Sequence, residues 1–375
     1  MQKTHHYKEK QIRASVVILF IFGFFIGVPL GNLLGSSLTP VWGHLTIAYG
    51  SEKATWMGAV QVEFTKWWQE NYPDQPIKAE FHAYGSAQSM VGILNGEIKP
   101  VMWSPASSIW IPIFNTRWQD QANGQSIIEN ITKVIFSPVV IATWKNFNET
   151  YNIKGFNTLH TLIQNSPGTV KLGHTDPGLS NSGFMAVAMA LAASLGKDTK
   201  DLTIEDLRNQ AVQDWLREFE SAAVQYGEST GYLGKMMVNS GPASINVAFL
   251  YENVVKDIST RYPDDQVIAI YPEEGILYSD HPFCVLNAPW VTQNDKEIAY
   301  KFINFIQRPE IVQLAMQNGF RPINSSLSLD PNIFNFEKYG ISPNQTLTIR
   351  EFQAPESGEV LARIPDVWSL TRSVH

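Results

Sequence analysis

The chain lacks several features that usually announce a function. It has one cysteine, Cys284, in 375 residues. No disulfide can form within the chain, and a cysteine-based zinc site is disfavoured. Cys284 lies in an apolar run and reads as a small core residue. Basic charge is not in excess. Lys and Arg number 28 against 35 Asp and Glu, giving a formal net charge of -7, and no basic stripe stands out, which argues against nucleic acid as a partner. Catalytic signatures are missing too: there is no G-x-S-x-G elbow, H-E-x-x-H, Walker A loop or dinucleotide fingerprint. His44, His82, His160, His174 and His281 are scattered along the chain. They give no support for a metal site, and no cofactor is implied. These absences argue against an enzyme.

One absence is itself a signal. No charged residue occurs between Arg13 and Glu52, and Val16 to Gly35 is almost wholly apolar. Lys3, Lys8, Lys10 and Arg13 precede it. The run suits a membrane span whose basic flank stays in the cytoplasm. A cleaved signal peptide is the competing reading. No A-x-A site and no cysteine directly follows the apolar run, so residues 1–38 are taken as an uncleaved anchor. On either reading the body is extracytoplasmic, in the periplasm or at the cell surface.

The body repeats one design. A strand-like run over 45–49 ends in Gly50-Ser51, and a helix follows to about Gln69, with Met57, Val60, Phe64, Trp67 and Trp68 at helical spacing. A second strand, 78–84, ends in Gly85-Ser86 before another apolar-faced helix. A third, 100–103, ends in Ser104-Pro105. The central stretch Gly173-His174-Thr175-Asp176-Pro177-Gly178-Leu179-Ser180-Asn181-Ser182-Gly183 lies between a strand candidate at 169–172 and an apolar helix at 184–195. Such loops bring hydroxyls and free backbone N–H groups to helix N-termini, where a polar or anionic group is stabilised. In open α/β sheets ligands sit at the carboxyl ends of strands. Each Ser alone reads first as a helix cap, and Asp176 as the cap of its own turn. Four such junctions together point to one shared site.

Further along, Val134 to Trp144 is β-rich but holds Pro138, which suggests an edge or bend and the crossing into a second lobe. Residues 202–223 read as one amphipathic helix. A strand over 245–250 leads to Tyr251-Glu252, and strands at 266–271 and 282–288 read as the return. The Asn-, Ser- and Pro-rich tail from Asn324 reads as irregular structure docked on the first lobe. The expected division is a first lobe of 39–138 plus 275–375 and a second of 139–274.

This order of pieces resembles bacterial extracytoplasmic solute-binding proteins of the molybdate- and phosphate-binding type. The matching pieces are Tyr49-Gly50-Ser51, Tyr84-Gly85-Ser86, Trp103-Ser104-Pro105, the 173–184 loop, 226–231 and Leu250-Tyr251-Glu252. The likeness is greatest to modules that precede a von Willebrand factor A (VWA) domain. It implies a two-lobe α/β fold of the periplasmic-binding-protein kind with two crossing strands, and capture of a small polar or anionic solute between the lobes for uptake or sensing. The ligand walls would then be Gly50, Ser51, Gly85, Ser86, Ser104, Thr175, Asp176, Ser180, Ser182, Tyr251 and Glu252. Asp176 and Glu252 sit uneasily with a bare oxyanion. Implied partners are the solute, the membrane, and a permease or a VWA-domain protein. A membrane-anchored receptor or scaffold working with such a VWA partner is the alternative. A hydrolase using a cleft Ser is a distant third.

Overall fold

A computed structural model describes residues 41–372, apart from 122–123, 262–265 and 356. The expected anchor at 1–38 lies outside the described residues. Among the described helices, none is long and apolar enough to cross a membrane.

Two sheets organise the molecule. The first contains β1 (Gly43–Gly50), β2 (Ile77–Tyr84), β3 (Met102–Ser104), β4 (Ile128–Thr132) and β11 (Phe283–Leu286), in the order β2-β1-β3-β11-β4. β1 runs parallel to β2 and β3, whereas β11 returns antiparallel between β3 and β4. Along β1 the side chains alternate between faces. Leu45, Ile47 and Tyr49 join the core under α1 (Ala54–Asn71), while Ala48 faces the opposite layer. Met57, Val60, Phe64 and Trp68 bury the inner stripe of α1. Phe64 meets Phe302 and Phe305 of α11 (Gln293–Ile306) at ring distances of 5.1 and 5.3 Å. Burying each such ring contributes about 1.5–3 kcal/mol. α11 begins at a capping box between Thr292 and Asp295, and α12 (Pro309–Gln317) has proline in its first turn.

The second sheet is built around β5 (Ile135–Trp144). β5 is not an edge strand, despite Pro138. Its partners change along its length: β12 (Arg321–Pro322) at 135–136, β10 (Tyr278–Ser279) at 137–138, then β8 (Val247–Tyr251) on one side and β9 (Val267–Ile270) on the other. Pro138 falls where the partners change. The missing N–H is tolerated there because the ladder is already interrupted. β6 (Leu172–Thr175) and β7 (Ala223–Gly227) complete the sheet beyond β8 in parallel register.

Several expectations shift. The strand placed at 169–172 lies at 172–175, because the Asn246 side chain takes the Thr169 carbonyl and the Lys171 N–H in place of a ladder. The single helix at 202–223 is two, α7 (Ile204–Arg208) and α8 (Gln210–Glu220). Asn209 is extended and its side chain accepts from Ala211 N, restarting the helix as a cap. α6 (Asn181–Leu195) is buried from Asn181 to Ala193, as its all-round apolar pattern requires. It can press on β6 because Gly183 has no side chain: a Cβ there would lie 1.8 Å from the Thr175 carbonyl oxygen. Only the start of the tail docks on the first sheet as irregular structure, with Leu327 and Leu329 against its core. The tail ends in a helix, α14 (Gly358–Thr371), which packs on α6, α7 and α8 of the second sheet. Val360, Leu361, Ile364, Val367 and Trp368 form its buried stripe, a helical period that the polar residues around it masked.

Candidate functional site

The strand-end junctions from the two sheets meet face to face. Ser51 opens a short 3-10 turn, Ser51–Lys53, and its hydroxyl accepts from Gly231 N at 3.1 Å. Gly231 lies in the first turn of α9 (Thr230–Ser240), on the second sheet. α2 (Ser86–Leu94) points its N-terminus at the central loop, where Ala87 N and Gln88 N both donate to the Leu179 carbonyl at 3.1 and 3.2 Å. The approach is close enough that a Cβ on Gly85 would lie 2.6 Å from that carbonyl oxygen, and one on Gly231 2.6 Å from the Ser51 carbonyl oxygen. Trp110, the first residue of α3 (Trp110–Gln119), adds a third crossing: its Nε1 donates to Asn181 Oδ1 at 2.8 Å. A fourth runs from Asn253 Nδ2 to the Glu52 carbonyl at 2.9 Å.

Inside this seam lies a buried polar layer. Tyr251 is fully buried, and its hydroxyl accepts from Asn181 Nδ2 at 2.8 Å. Asn181 also donates to Ser279 Oγ at 2.9 Å. Ser182 Oγ lies 2.9 Å from Thr175 Oγ1 and 2.7 Å from Thr230 Oγ1, and Gly183 N donates to Thr175 Oγ1. Ser180 reaches Thr230 at 3.5 Å. Toward the first sheet is a buried charged group. Lys53 Nζ donates to Glu52 Oε1 at 2.7 Å and to the Pro105 carbonyl at 3.2 Å, and sits 3.5 Å from His281 Nδ1. Burial alone would raise the Glu52 carboxyl, but the Lys53 ammonium and His281 outweigh it and hold the group at about 2. Burial lowers the Lys53 ammonium, which Glu52 partly restores. Burial, reinforced by Lys53, lowers His281 and favours its neutral form. The pair therefore adds no net charge to the seam. Burial, and then the Glu52 charge, push the Tyr251 phenol well up, so Tyr251 stays a neutral hydrogen-bonding group. Three buried polar atoms here have no partner among the described residues, Ser104 Oγ, Asn253 Oδ1 and His281 Nε2. His281 is also one of two non-glycine residues with positive φ among those described. Buried orphans and backbone strain both mark a site worth explaining.

Not every expected wall faces the seam. Ser51, Gly85, Thr175, Ser180, Ser182 and Tyr251 lie in it, and Ser104 adjoins it through Pro105. Gly50 lies beneath the Glu52 carboxylate, whose Oε1 would be 2.2 Å from a Cβ at that position. Ser86 is buried and accepts from Ala106 N at 3.0 Å, tying down the loop after β3. Asp176 caps its own turn by accepting from Gly178 N at 2.7 Å. Glu252 departs furthest from the expected role. It is fully buried and forms a two-pronged pair with Arg321, Nε to Oε1 at 2.8 Å and Nη2 to Oε2 at 3.0 Å, with the Tyr271 hydroxyl donating to Oε2. Its carboxylate is committed where the crossing strands meet the tail, since Arg321 also donates to the carbonyls of Ser342 and Asn344.

The residues missed from sequence are Glu52, Lys53, Trp110, Asn181, Thr230, Ser279 and His281. The first two carried a signal. A carboxylate and an ammonium directly follow the Gly-Ser junction, inside the site the junction itself defines. Asn181 lies within the central loop. Ser279 and His281 reach the site only through pairing of the returning strands, which no local pattern encodes.

No curated protein matches the chain. Solved structures share its architecture. AfuA of Actinobacillus pleuropneumoniae, a periplasmic binding protein solved with fructose-6-phosphate, aligns with TM-score 0.61 and 15% identity over 89% of this chain and 99% of its own. A putative spermidine/putrescine ABC transporter protein from Listeria monocytogenes gives 0.61 and 14% over 88% and 98%. The sulfate-binding protein SubI of Mycobacterium tuberculosis H37Rv gives 0.53 and 18% over 76% and 88%. At these identities the likeness concerns the fold. The sequence carries the family: the model of bacterial extracellular solute-binding proteins matches residues 45–321, from the first strand of the first sheet to the strand that closes on β5, and the chain belongs to that family.

Proposed function

We propose that this protein captures a small polar solute between two lobes, outside the cytoplasm, and passes it to a membrane permease. In this reading β1–β4 and the returning β11 belong to the first lobe, residues 139–274 to the second, and the N-terminal segment holds the protein at the membrane. The observation that carries it is the seam: hydroxyls, amides and helix N-termini from both sheets converge on one buried layer at the carboxyl ends of the strands. Ser51, Ser182, Thr230, Asn181 and Tyr251 are the groups assigned to the solute, which would exchange their mutual bonds for its own as the lobes open and close. A thermal-shift screen of the protein against sugars, amino acids, metals and oxyanions tests this. A solute at 100 times its dissociation constant adds about 2.7 kcal/mol of stability. Ser51→Ala or Ser182→Ala should weaken its binding about tenfold to a hundredfold, the worth of one hydrogen bond to a charged group. Stabilisation by no solute would sink the reading.

A second reading rests on a different observation. The helix ends at the seam already satisfy one another: N-terminal N–H groups of α2 are taken by Leu179, and that of Gly231 by Ser51. Lobes that close on their own groups suit a receptor or scaffold that presents a fixed surface to a partner such as a VWA-domain protein. Capture of a VWA-domain partner by a protein that no solute stabilises would favour that reading.

A further inference from the structure

A groove of about 1260 Å³ runs along the outer side of the seam. One wall belongs to the first sheet's helices, with Val91 of α2 and Trp110, Ile113 and Arg117 of α3. The other is the tail, with Glu351, Leu361, Ala362, Pro365 and Asp366. The tail lies beyond residue 321, where the match to the family model ends. This wall is therefore not supplied by the matched part of the chain.

The lining has the character of a ligand site: mostly apolar, with few polar groups that converge. Phe184 and Met185 of α6 contribute to it beside Trp110, whose ring meets Phe184 edge-on at 5.6 Å. The polar anchor is Asp280. It accepts from Ser108 N at 2.7 Å and Ser108 Oγ at 2.6 Å, and pairs with Lys133 at 2.6 Å. Charge is divided between the walls. Arg117 and Lys133 belong to the first-sheet side, where Asp280 already pairs with Lys133, and Glu351 and Asp366 belong to the tail side, where Arg363 already pairs with Asp366 at 3.2 Å; Arg117 and Glu351 are the charges left without an ion pair among the described residues. The groove is also wired to the seam. Trp110 lines it while its Nε1 holds Asn181, the residue that binds Tyr251 and Ser279. An occupant resting on Trp110 would bear on the bond that joins the two halves.

We propose that the solute of this cleft is an organic zwitterion with an aliphatic or aromatic body, whose body occupies this groove between Trp110 and the tail helix. This deepens the solute-binding reading and rests on it. A bare oxyanion would leave the apolar walls in water and gain nothing from their opposed charges. A zwitterion meets a cationic and an anionic wall at once, and its body removes apolar surface from water.

The test uses calorimetric titration of the full chain with five probes: glycine, L-phenylalanine, L-tryptophan, sulfate and phosphate. L-phenylalanine or L-tryptophan should bind at least tenfold more tightly than glycine, which has the same head and no body. Ala362→Trp fills the groove from an exposed helix position, and Val91→Asp puts a carboxylate in its apolar wall. Each should weaken that binding at least tenfold, and the melting curve of each variant checks that it folds. Equal binding of all three amino acids, or aromatic binding indifferent to both variants, overturns the proposal. Sulfate or phosphate binding that Ser51→Ala weakens and Ala362→Trp leaves unchanged overturns it too, and leaves the cleft reading standing. Binding by none of the five overturns it, whereas the cleft reading falls only with the wider screen.

Discussion

Two buried carboxylates, Glu52 and Glu252, each follow the last residues of a strand and lie in the first turn of a helical segment, and each has a cation. Their surroundings differ. Glu252 sits in a finished network: Arg321, Tyr271 and two tail carbonyls leave nothing open. Glu52 and Lys53 sit in an unfinished one, beside an unpartnered Ser104 hydroxyl and an unpartnered His281 nitrogen. A buried charge pair does not by itself mark function. A completed one fastens the fold, and the tail in particular, whereas an incomplete one at the seam between two sheets leaves bonds for something else to make.

The comparison can be broken most directly at Arg321. Arg321→Met should cost about 3–5 kcal/mol, since it strands the buried Glu252 carboxylate, and it also frees the carbonyls of Ser342 and Asn344. Chemical denaturation measures the loss, and a cost below about 1 kcal/mol would show that the network fastens nothing. Pairing it with Glu252→Leu should recover little, because the tail carbonyls stay unpaired. In the seam, Glu52→Gln with Lys53→Met should be less damaging than either single change, because it strands no buried charge and leaves one backbone carbonyl, that of Pro105, without its donor. Equal recovery in both double variants would erase the distinction.

pH gives a smaller separation. Glu52 is depressed in the folded protein to about 2, from an ordinary value of 4.5. Its contribution is complete above the unfolded value and is lost as pH falls from there toward 2. His174 behaves in the opposite sense. Burial would lower it, but Glu220 at 3.1 Å overrides this and raises it above 6.5. Both ring nitrogens face acceptors, the Glu220 carboxylate and the Thr175 carbonyl. Its contribution is full below about 6.5 and is lost as pH rises through the folded value. Thermal melts across pH should therefore lose stability on both sides. His174→Gln should remove part of the alkaline loss and Glu52→Gln part of the acid loss, and the reverse pairing would contradict these assignments.

The smallest expected effect concerns closure. Gly85→Ala and Gly231→Ala each place a carbon 2.6 Å from a carbonyl oxygen across the seam. Overpacking of this kind costs about 1–3 kcal/mol, and parting the seam relieves it. Small-angle scattering should show an expanded molecule with unchanged helical content. Unchanged dimensions would mean that the seam absorbs the strain without opening.

Much of this was legible beforehand. The strand-Gly-Ser junctions, the buried helix after the central loop and the stripe of α1 follow from periods of two and 3.6 residues and from the punctuation between them. The site was legible in part. Ser51, Ser182 and Tyr251 lie in the seam because they end strands or open helices, a local property. Asp176 was readable as the cap of its own turn, while nothing local showed the partner of Glu252. One caps its own turn within two residues, and the other is claimed by Arg321, 69 residues away.

Local chemistry, in the end, decided the elements and their junctions, because capping, periodicity and turn residues act over a few positions. Tertiary structure decided which junction meets which, and with it the role of each polar group. Pro138 falls within a well-paired strand only because its partners change there. His281 enters the seam only because β11 returns beside β3, and α14 forms a groove wall only because its apolar stripe finds α6 and α8. A side chain's role depends on what stands opposite it, and the chain supplies that only once distant segments have paired.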